Sequence, residues 1–368
     1  MYNLPGQEEL LFYMLYAGAA VLSLIASCYL LFRQGNAFAC DITPPVRLRR
    51  WTAAFFAAMT LSHVWYMPII FFTSSNDIML TYLVGALLDC MTIFPLAIIV
   101  LLCMLQDRRR PLWPVWVIVA PLVVGMAFCI SSRNNTLIPM LRIYILLMGI
   151  GLITYMVRAL RQYGRWLRDN YADLEHKEVW QSFLVQAAIL LILNFYTFGS
   201  GWPAYEYVVQ ALDIVFVCYL LWRVETLNDL NIPQPLPIHE ETTSTEEETT
   251  TYDEIGALLQ QHCIDTQLYL QHDLTLLQLA KVIGTNRFYL SQYFSTQGTT
   301  YNAYINDLRI NHFIRLYREA VAGQRPFTTK QLAHDSGYRS YSTFTLAFKQ
   351  RMGKNVTTWM QDSAELTE

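Results

Sequence analysis

The sequence predicts an all-α protein made of a polytopic transmembrane helical bundle and a cytoplasmic all-helical domain with two helix-turn-helix units. Three observations support this fold class. Residues 1–225 consist of long apolar runs separated by short polar loops, residues 226–253 are acidic and poor in apolar side chains, and residues 254–368 contain a motif that occurs twice. Only 15% of all residues are charged, against about 25% in typical soluble proteins. We therefore expect a bundle, an acidic linker and a soluble domain with these three boundaries.

About seven apolar segments are long enough, or nearly so, to cross a hydrocarbon core about 30 Å thick. The first follows Glu8 and Glu9 and has no basic flank, unlike a cleavable signal peptide. The seventh is short and contains Asp213, which makes it the weakest member of the set. The predicted spans are Leu10–Phe32, Trp51–Phe72, Met79–Met104, Leu112–Ile130, Leu137–Val157, Val179–Phe198 and Tyr205–Trp222.

Basic residues are distributed unequally between alternate loops of the bundle. The loops after the first, third and fifth spans hold twelve lysines and arginines, whereas the other loops hold only Arg133. Cytoplasmic loops carry an excess of Lys and Arg. We therefore expect a multi-pass protein of the inner (cytoplasmic) membrane with its N-terminus outside and its C-terminal domain in the cytoplasm.

Several polar and ionisable side chains lie within the predicted spans, where they are costly and often functional. They either pair with one another and hold the bundle together, or line a ligand pocket that opens to the outside. Arg142 and Glu206 are expected near the outer ends of their spans and are the best candidates for such a pocket. The seventh span has no lysine, which argues against a retinal photoreceptor. The candidates are His63, Asp89, Arg142, Asn194, Glu206 and Asp213.

The linker of residues 226–253 begins with alternating prolines and continues almost entirely with Glu and Thr. Such a segment cannot form an apolar core and is expected to be disordered or extended. It either acts as a solvated spacer, or its carboxylates compete with DNA phosphate for a basic surface.

Two segments of the C-terminal domain, Thr275–Gly298 and Thr328–Gly353, repeat each other. Both contain Gln-Leu-Ala followed by three residues and Gly, and both continue with an apolar residue and a Phe four positions apart. A Thr with Gln three residues later is a capping-box pattern, and the glycine permits a left-handed backbone in a tight turn. Each segment therefore predicts a helix-turn-helix whose second helix is shaped for the DNA major groove.

Residues Leu274 to Trp359 resemble the AraC-type DNA-binding domain. The resemblance rests on both Leu-Ala-x-x-x-Gly signatures, on Leu308-Arg309, and above all on the run from Gly337 through Phe344, Phe348, Lys349 and Gly353 to Trp359. It implies two recognition helices held by a connecting helix near Tyr301–Tyr317 and inserted into successive major-groove segments. Three positions depart from the family pattern, namely Phe313 for a small residue, Leu346 for a common base-contacting Arg, and Val356 for Pro.

The expected DNA contacts follow from this reading. Polar side chains of the recognition helices can bond base edges, and nearby lysines and arginines can meet phosphate. Eleven basic and four acidic residues between Asp273 and Met360 give this stretch a charge of +7, which suits a polyanion. The predicted contacts are Asn286, Arg287, Phe288, Ser291 and Gln292 in the first unit and Arg339, Ser340, Tyr341, Ser342, Thr345, Leu346, Lys349, Arg351 and Lys354 in the second.

The sequence shows no catalytic, cofactor-binding or metal-binding motif, so we expect neither an enzyme nor a cofactor. The seven cysteines include no C-x-x-C pair, and reduced core residues are the simplest interpretation. The expected function is a membrane-bound, sequence-specific DNA-binding transcription regulator that responds to a signal at the bundle. A transporter or a passive anchor coupled to the DNA-binding domain are the alternatives. The expected partners are double-stranded DNA and the lipid bilayer, with RNA polymerase, a small-molecule or protein signal and a second copy of the chain as further candidates.

Overall fold

A computed structural model gives the fold. It describes residues 7–33, 35–38, 42–133, 136–175, 177–185, 187–188, 203–230 and 252–365. Helices and turns dominate throughout these ranges and no strand occurs in them, apart from one isolated bridge between Tyr171 and Thr275. The chain divides into two compact units, residues 1–163 with 179–233 and residues 164–178 with 234–368. The predicted all-α class is confirmed.

The first unit is built from long apolar helices. Within the described residues, six helical segments are long and apolar enough to cross a membrane: Leu10–Phe32, Val46–Phe71, Ser75–Met104, Trp113–Ser132, Ile138–Asn170 and Tyr207–Glu225. Many large apolar side chains of these segments are exposed, such as Phe71 at 82% and Val124 at 68%. Such a surface is unfavourable in water and suits a lipid environment. The α-helices are α1 (Gln7–Phe32), α2 (Val46–Tyr66), α3 (Ser75–Met91), α4 (Ile93–Met104), α5 (Trp113–Ser132), α6 (Ile138–Asn170) and α7 (Pro203–Glu225).

Six of the seven predicted spans coincide with these segments. The remaining one, Val179–Phe198, is helical over 180–185 and 187–188, and the rest of it lies outside the described residues. The third span consists of two helices, α3 and α4, which meet at Thr92 with φ −121° and ψ −68°. Pro95 explains this break, because a proline ring clashes with the carbonyl four residues earlier and cannot donate a backbone hydrogen bond.

A buried ion pair joins three helices of the bundle. Arg49 Nε lies 2.9 Å from Glu225 Oε1, and Tyr29 Oη donates to Glu225 Oε2 at 3.2 Å. The Glu225 side chain is fully buried, so removing either partner would leave an uncompensated charge. These contacts fix the ends of α1, α2 and α7 relative to one another.

The second compact unit contains α8 (Tyr252–Leu259), two helix-turn-helix pairs, the helix that connects them and a final helix. These helices are α9 (Leu276–Val282), α10 (Arg287–Thr296), α11 (Tyr301–Ala322), α12 (Thr329–Asp335), α13 (Tyr341–Met352) and α14 (Val356–Glu365). The predicted connecting helix near Tyr301–Tyr317 is α11, which continues five residues further. One apolar core lies around Leu279, Leu290 and Ile305, and another around Phe313, Phe344 and Phe348. Most of the predicted linker, residues 231–251, lies outside the described residues.

The second unit also includes residues 164–178, which follow the apolar part of α6 in sequence. Asn302 Nδ2 donates to the carbonyl oxygens of Tyr171 and Ala172 at 3.1 and 2.6 Å. Ala172 is buried in the core around Leu279. This segment therefore belongs to the packed structure of the second unit, although more than 70 residues separate it from α8.

Candidate nucleic-acid interface

The first helix-turn-helix unit consists of α9 and α10. The Thr275 hydroxyl accepts from the backbone N–H of Gln278, and the Gln278 side chain accepts from the Thr275 N–H at 2.9 Å. The predicted capping box is therefore formed. Gly284 has φ +73°, as the turn requires, and the Asn286 side chain caps α10 by accepting from the Tyr289 N–H at 2.9 Å.

The second helix-turn-helix unit consists of α12 and α13 and has the same caps and turn, with one difference. Thr328 caps α12 by accepting from the Gln331 N–H at 3.1 Å, but the Gln331 side chain donates to Asp335 at 2.9 Å. The acidic residue one turn later attracts the amide, so only half of the expected capping box forms. Gly337 has φ +91°, and Ser340 caps α13 by accepting from the Thr343 N–H at 3.2 Å.

Apolar pairs four residues apart anchor both recognition helices. Leu290 and Phe294 of α10 and Phe344 and Phe348 of α13 are all at most 2% exposed. Phe313 of α11, which departs from the family pattern, is fully buried, and its ring centroid lies 4.5 Å from that of Phe344. The large side chain thus fills the second core and creates an aromatic contact.

Arg309 of α11 connects the two helix-turn-helix units. Its side chain is 1% exposed; Nε donates to the Tyr269 carbonyl at 2.8 Å and Nη2 to the Gln271 carbonyl at 2.7 Å. Its guanidinium also lies 5.6 Å from the ring centroid of Tyr338, in the turn of the second unit. Burial lowers the pKa of Arg309 and raises that of Tyr338. The family motif marked Arg309, but its bonding to two carbonyls could not be inferred from sequence.

The side chains predicted to contact DNA all lie on or beside the two recognition helices. Of these positions, Asn286, Phe288, Gln292, Arg339, Tyr341, Ser342, Leu346, Lys349, Arg351 and Lys354 are exposed, while Arg287, Ser291, Ser340 and Thr345 are half-buried. Asn286 and Ser340 also cap their helices. Their assignment to DNA remains a prediction.

Several of the predicted phosphate contacts are paired with carboxylates on the protein surface. Arg351 Nε lies 2.7 Å from Asp307 Oδ1, and Lys354 Nζ lies 2.8 Å from Asp362 Oδ2. Exposed pairs of this kind contribute at most about 1 kcal/mol. Their cations can therefore exchange a carboxylate for a DNA phosphate at low cost.

Thr343 was not among the predicted contacts, although it lies in the first turn of α13. Its hydroxyl donates to Glu175 Oε2 at 3.0 Å. Glu175 belongs to the segment 164–178 that packs within the second unit. No motif signals this contact, because Glu175 lies far from α13 in sequence and outside the repeated segments.

The polar residues predicted within the bundle have different locations. His63, Asp89 and Asp213 line one cavity, whereas Arg142 is exposed and does not line it. Asn194 and the side chain of Glu206 lie outside the part of the chain that the structure describes. The described residues contain no group of three His, Cys, Asp or Glu side chains that could hold a metal ion.

The geometry of α9–α14 defines two helix-turn-helix units on one connecting helix. Residues 279–362 match the family model described as "Helix-turn-helix domain", which is of the AraC type. This match covers the C-terminal quarter of the chain and associates that quarter with DNA-binding transcription regulation. No curated protein and no solved structure shows a significant match to the chain.

Proposed function

We propose that this chain is a membrane-bound transcription regulator that binds specific promoter DNA through both helix-turn-helix units and responds to a signal at the bundle. The observation that carries the proposal is the combination, in one chain, of six apolar helices with two capped helix-turn-helix units joined through Arg309. Two recognition helices joined by the connecting helix α11 suit successive turns of the major groove.

The proposed topology has the N-terminus outside the inner membrane and the DNA-binding unit in the cytoplasm, so it requires an odd number of spans: the six candidate spans of the described residues and the predicted span Val179–Phe198. The twelve-to-one distribution of basic residues between alternate loops supports it. A reporter enzyme that is active only in the cytoplasm, fused after Glu368, should be active. Activity only of a reporter for the opposite side would contradict the topology.

DNA binding is tested with the full-length protein in nanodiscs. Genomic fragments are selected by the protein and sequenced, and the enriched site is then titrated by fluorescence anisotropy. Arg287→Ala should weaken binding at least tenfold, because Arg287 begins α10. Arg318→Ala is the matched control, since Arg318 is exposed on α11 and outside the predicted contact set. An absence of enriched fragments at low salt would contradict DNA binding.

The two alternatives for the bundle are separated by different measurements. A transporter should move solute in proteoliposomes, and the flux should depend on Asp213. A passive anchor should be replaceable by unrelated spans without loss of regulation. The cavity that contains His63, Asp89 and Asp213 favours sensing over passive anchoring, because an anchor has no need of ionisable groups inside its spans.

A further inference from the structure

A cavity of about 700 Å³ lies among α1, α2, α3 and α7 of the bundle. This volume falls in the range of small-molecule sites. The lining residues come from the beginning of α1, the end of α2 and the first half of α7. They therefore lie toward the end of the bundle that contains the N-terminus, which the loop charges place outside.

Aromatic rings form much of the cavity wall. Five of the lining residues carry phenyl or phenol rings, and His63 adds an imidazole. The faces of such rings attract cations through their negative quadrupole, and the attraction grows when the cation is desolvated. The five are Phe12, Tyr13, Tyr16, Tyr66 and Tyr82.

Two carboxylates face this aromatic lining, and their surroundings differ. Asp89 accepts from Tyr66 Oη at 2.9 Å and from Trp65 Nε1 at 3.2 Å. Asp213 lines the same cavity as His63 but has no hydrogen-bond or ion-pair partner within the described part of the chain. An intramembrane carboxylate without a partner is costly, so the site is incomplete at Asp213.

Other groups on the cavity wall do not neutralise the two carboxylates. His63 Nδ1 lies 2.8 Å from the Met59 carbonyl, and Nε2 lies 3.2 Å from Gln210 Oε1. The cavity wall therefore carries two carboxyl groups and a single imidazole, which already contacts two oxygen acceptors. No Lys or Arg occurs among the described lining residues.

We propose that this cavity binds a small organic cation, an amine or quaternary ammonium compound with an apolar body. The ammonium group would pair with Asp213 and contact the aromatic rings, and the apolar body would fill the remaining volume. An inorganic cation fits less well, because it requires several oxygen ligands in place of rings. Anionic ligands are disfavoured because the described lining residues include two carboxyl groups and no Lys or Arg.

Binding of the cation does not require DNA, but its role as the signal rests on the proposed function. The test therefore omits DNA, so that a failure of cation binding and a failure of DNA binding are separate results. Full-length protein is placed in nanodiscs of phosphatidylglycerol, and empty discs measure cation binding to the lipid alone. Isothermal titration uses phenethylamine, phenyltrimethylammonium, 2-phenylethanol and phenylacetate, which share an aromatic body and differ in charge.

At least one of the two cations should bind saturably and at least tenfold more tightly than the alcohol or the carboxylate. Asp213→Asn should reduce that affinity at least tenfold and should fold, since Asp213 has no described partner to lose. Asp77→Asn is the matched control, because Asp77 is exposed in the first turn of α3 and does not line the cavity.

A second arm replaces the lipid with phosphatidylcholine. Weaker binding of the test cation in the phosphatidylcholine discs alone would show that the choline headgroup competes for the cavity, and would identify a lipid headgroup as the source of the cation. Equal binding in both kinds of disc would indicate a free cation. The proposal is overturned if neither cation binds in either arm. It is also overturned if the neutral alcohol binds as tightly, or if Asp213→Asn leaves the affinity unchanged.

Discussion

The guanidinium of Arg309 lies 5.6 Å from the ring centroid of Tyr338, and this contact joins the connecting helix to the turn of the second helix-turn-helix unit. The same guanidinium donates to carbonyls of Tyr269 and Gln271, next to the first unit. One buried side chain therefore contacts both the segment before the first unit and the turn of the second, and simultaneous contact with two groove segments requires a defined placement of the two recognition helices.

Arg309→Met should destabilise the compact unit that contains both helix-turn-helix units by about 2–4 kcal/mol, because the buried Tyr269 carbonyl loses its charged donor and the Gln271 carbonyl loses a second one. The affinity for DNA should fall more in Arg309→Met than in Arg318→Met, which removes one surface charge. Urea-dependent pulse proteolysis of the full-length protein measures the stability, and anisotropy measures the affinity. Arg318→Met, which removes an exposed charge from the same helix, is the control. Equal effects of the two substitutions would contradict the joining role of Arg309.

Gly337 and Gly284 occupy equivalent turns but have different surroundings. Both have positive φ, +91° and +73°, which costs an Ala about 1–2 kcal/mol. A Cβ at Gly337 would also lie 2.8 Å from Leu270 Cα and 2.9 Å from its carbonyl oxygen, whereas nothing lies within 4 Å of a Cβ at Gly284. Gly337→Ala should therefore cost at least about 1 kcal/mol more than Gly284→Ala, as measured by the same pulse proteolysis. Equal losses would show that the backbone of Leu270 moves freely.

The two glycines also show which features of the fold could be predicted from the sequence. Their left-handed turns, the caps at Thr275 and Thr328 and the buried pair Phe344–Phe348 all follow from short-range patterns, and all are confirmed. Contacts within one helix or turn involve few alternatives, so residue type and spacing suffice to predict them. The close approach of Leu270 to Gly337 joins segments that are distant in sequence, so the short-range pattern around neither residue could predict it.

The bundle and the segment 164–178 show which features could not be predicted from the sequence. Spans are predictable from hydropathy alone, but helix rotation decides which polar side chains meet. His63, Asp89 and Asp213 share a cavity, while Arg142, one of the two best pocket candidates by sequence, is exposed and does not line it. The packing of residues 164–178 in the DNA-binding unit depends on Asn302 and Thr343, and neither residue had a pattern that identified Tyr171, Ala172 or Glu175 as its partner.

Glu175→Gln should strengthen DNA binding several-fold at low salt. Glu175 Oε2 accepts from the Thr343 hydroxyl at 3.0 Å, which places a negative charge at the first turn of α13, where we expect DNA phosphate to approach. Removing the charge reduces repulsion, and the gain should shrink as salt rises. Glu254→Gln, a change of an exposed carboxylate on α8, is the control. Weaker binding by Glu175→Gln would contradict the repulsion, because the Gln oxygen can still accept from Thr343.

The stability of the compact unit that contains both helix-turn-helix units should decrease at mildly acidic pH, because His312 takes up a proton more readily when the chain is unfolded. This side chain is 7% exposed, and its Nδ1 lies 2.9 Å from Tyr269 Oη. Burial, together with the charge of Arg315, lowers the pKa of His312 in the folded state. An unfolded histidine titrates near pH 6.5. As pH falls below that value, the unfolded chain binds the proton first, so stability is lost until the lower folded pKa is reached.

The corresponding experiment compares wild type with His312→Asn by pulse proteolysis of the full-length protein at pH 7.5 and pH 5.5. The variant should lose less stability between the two pH values, because it lacks the group that takes up the proton on unfolding. Asn311→Ala, an exposed and non-titrating change at the neighbouring position, should keep the wild-type pH dependence. An unchanged pH dependence in His312→Asn would show that His312 is not the source of the acid sensitivity.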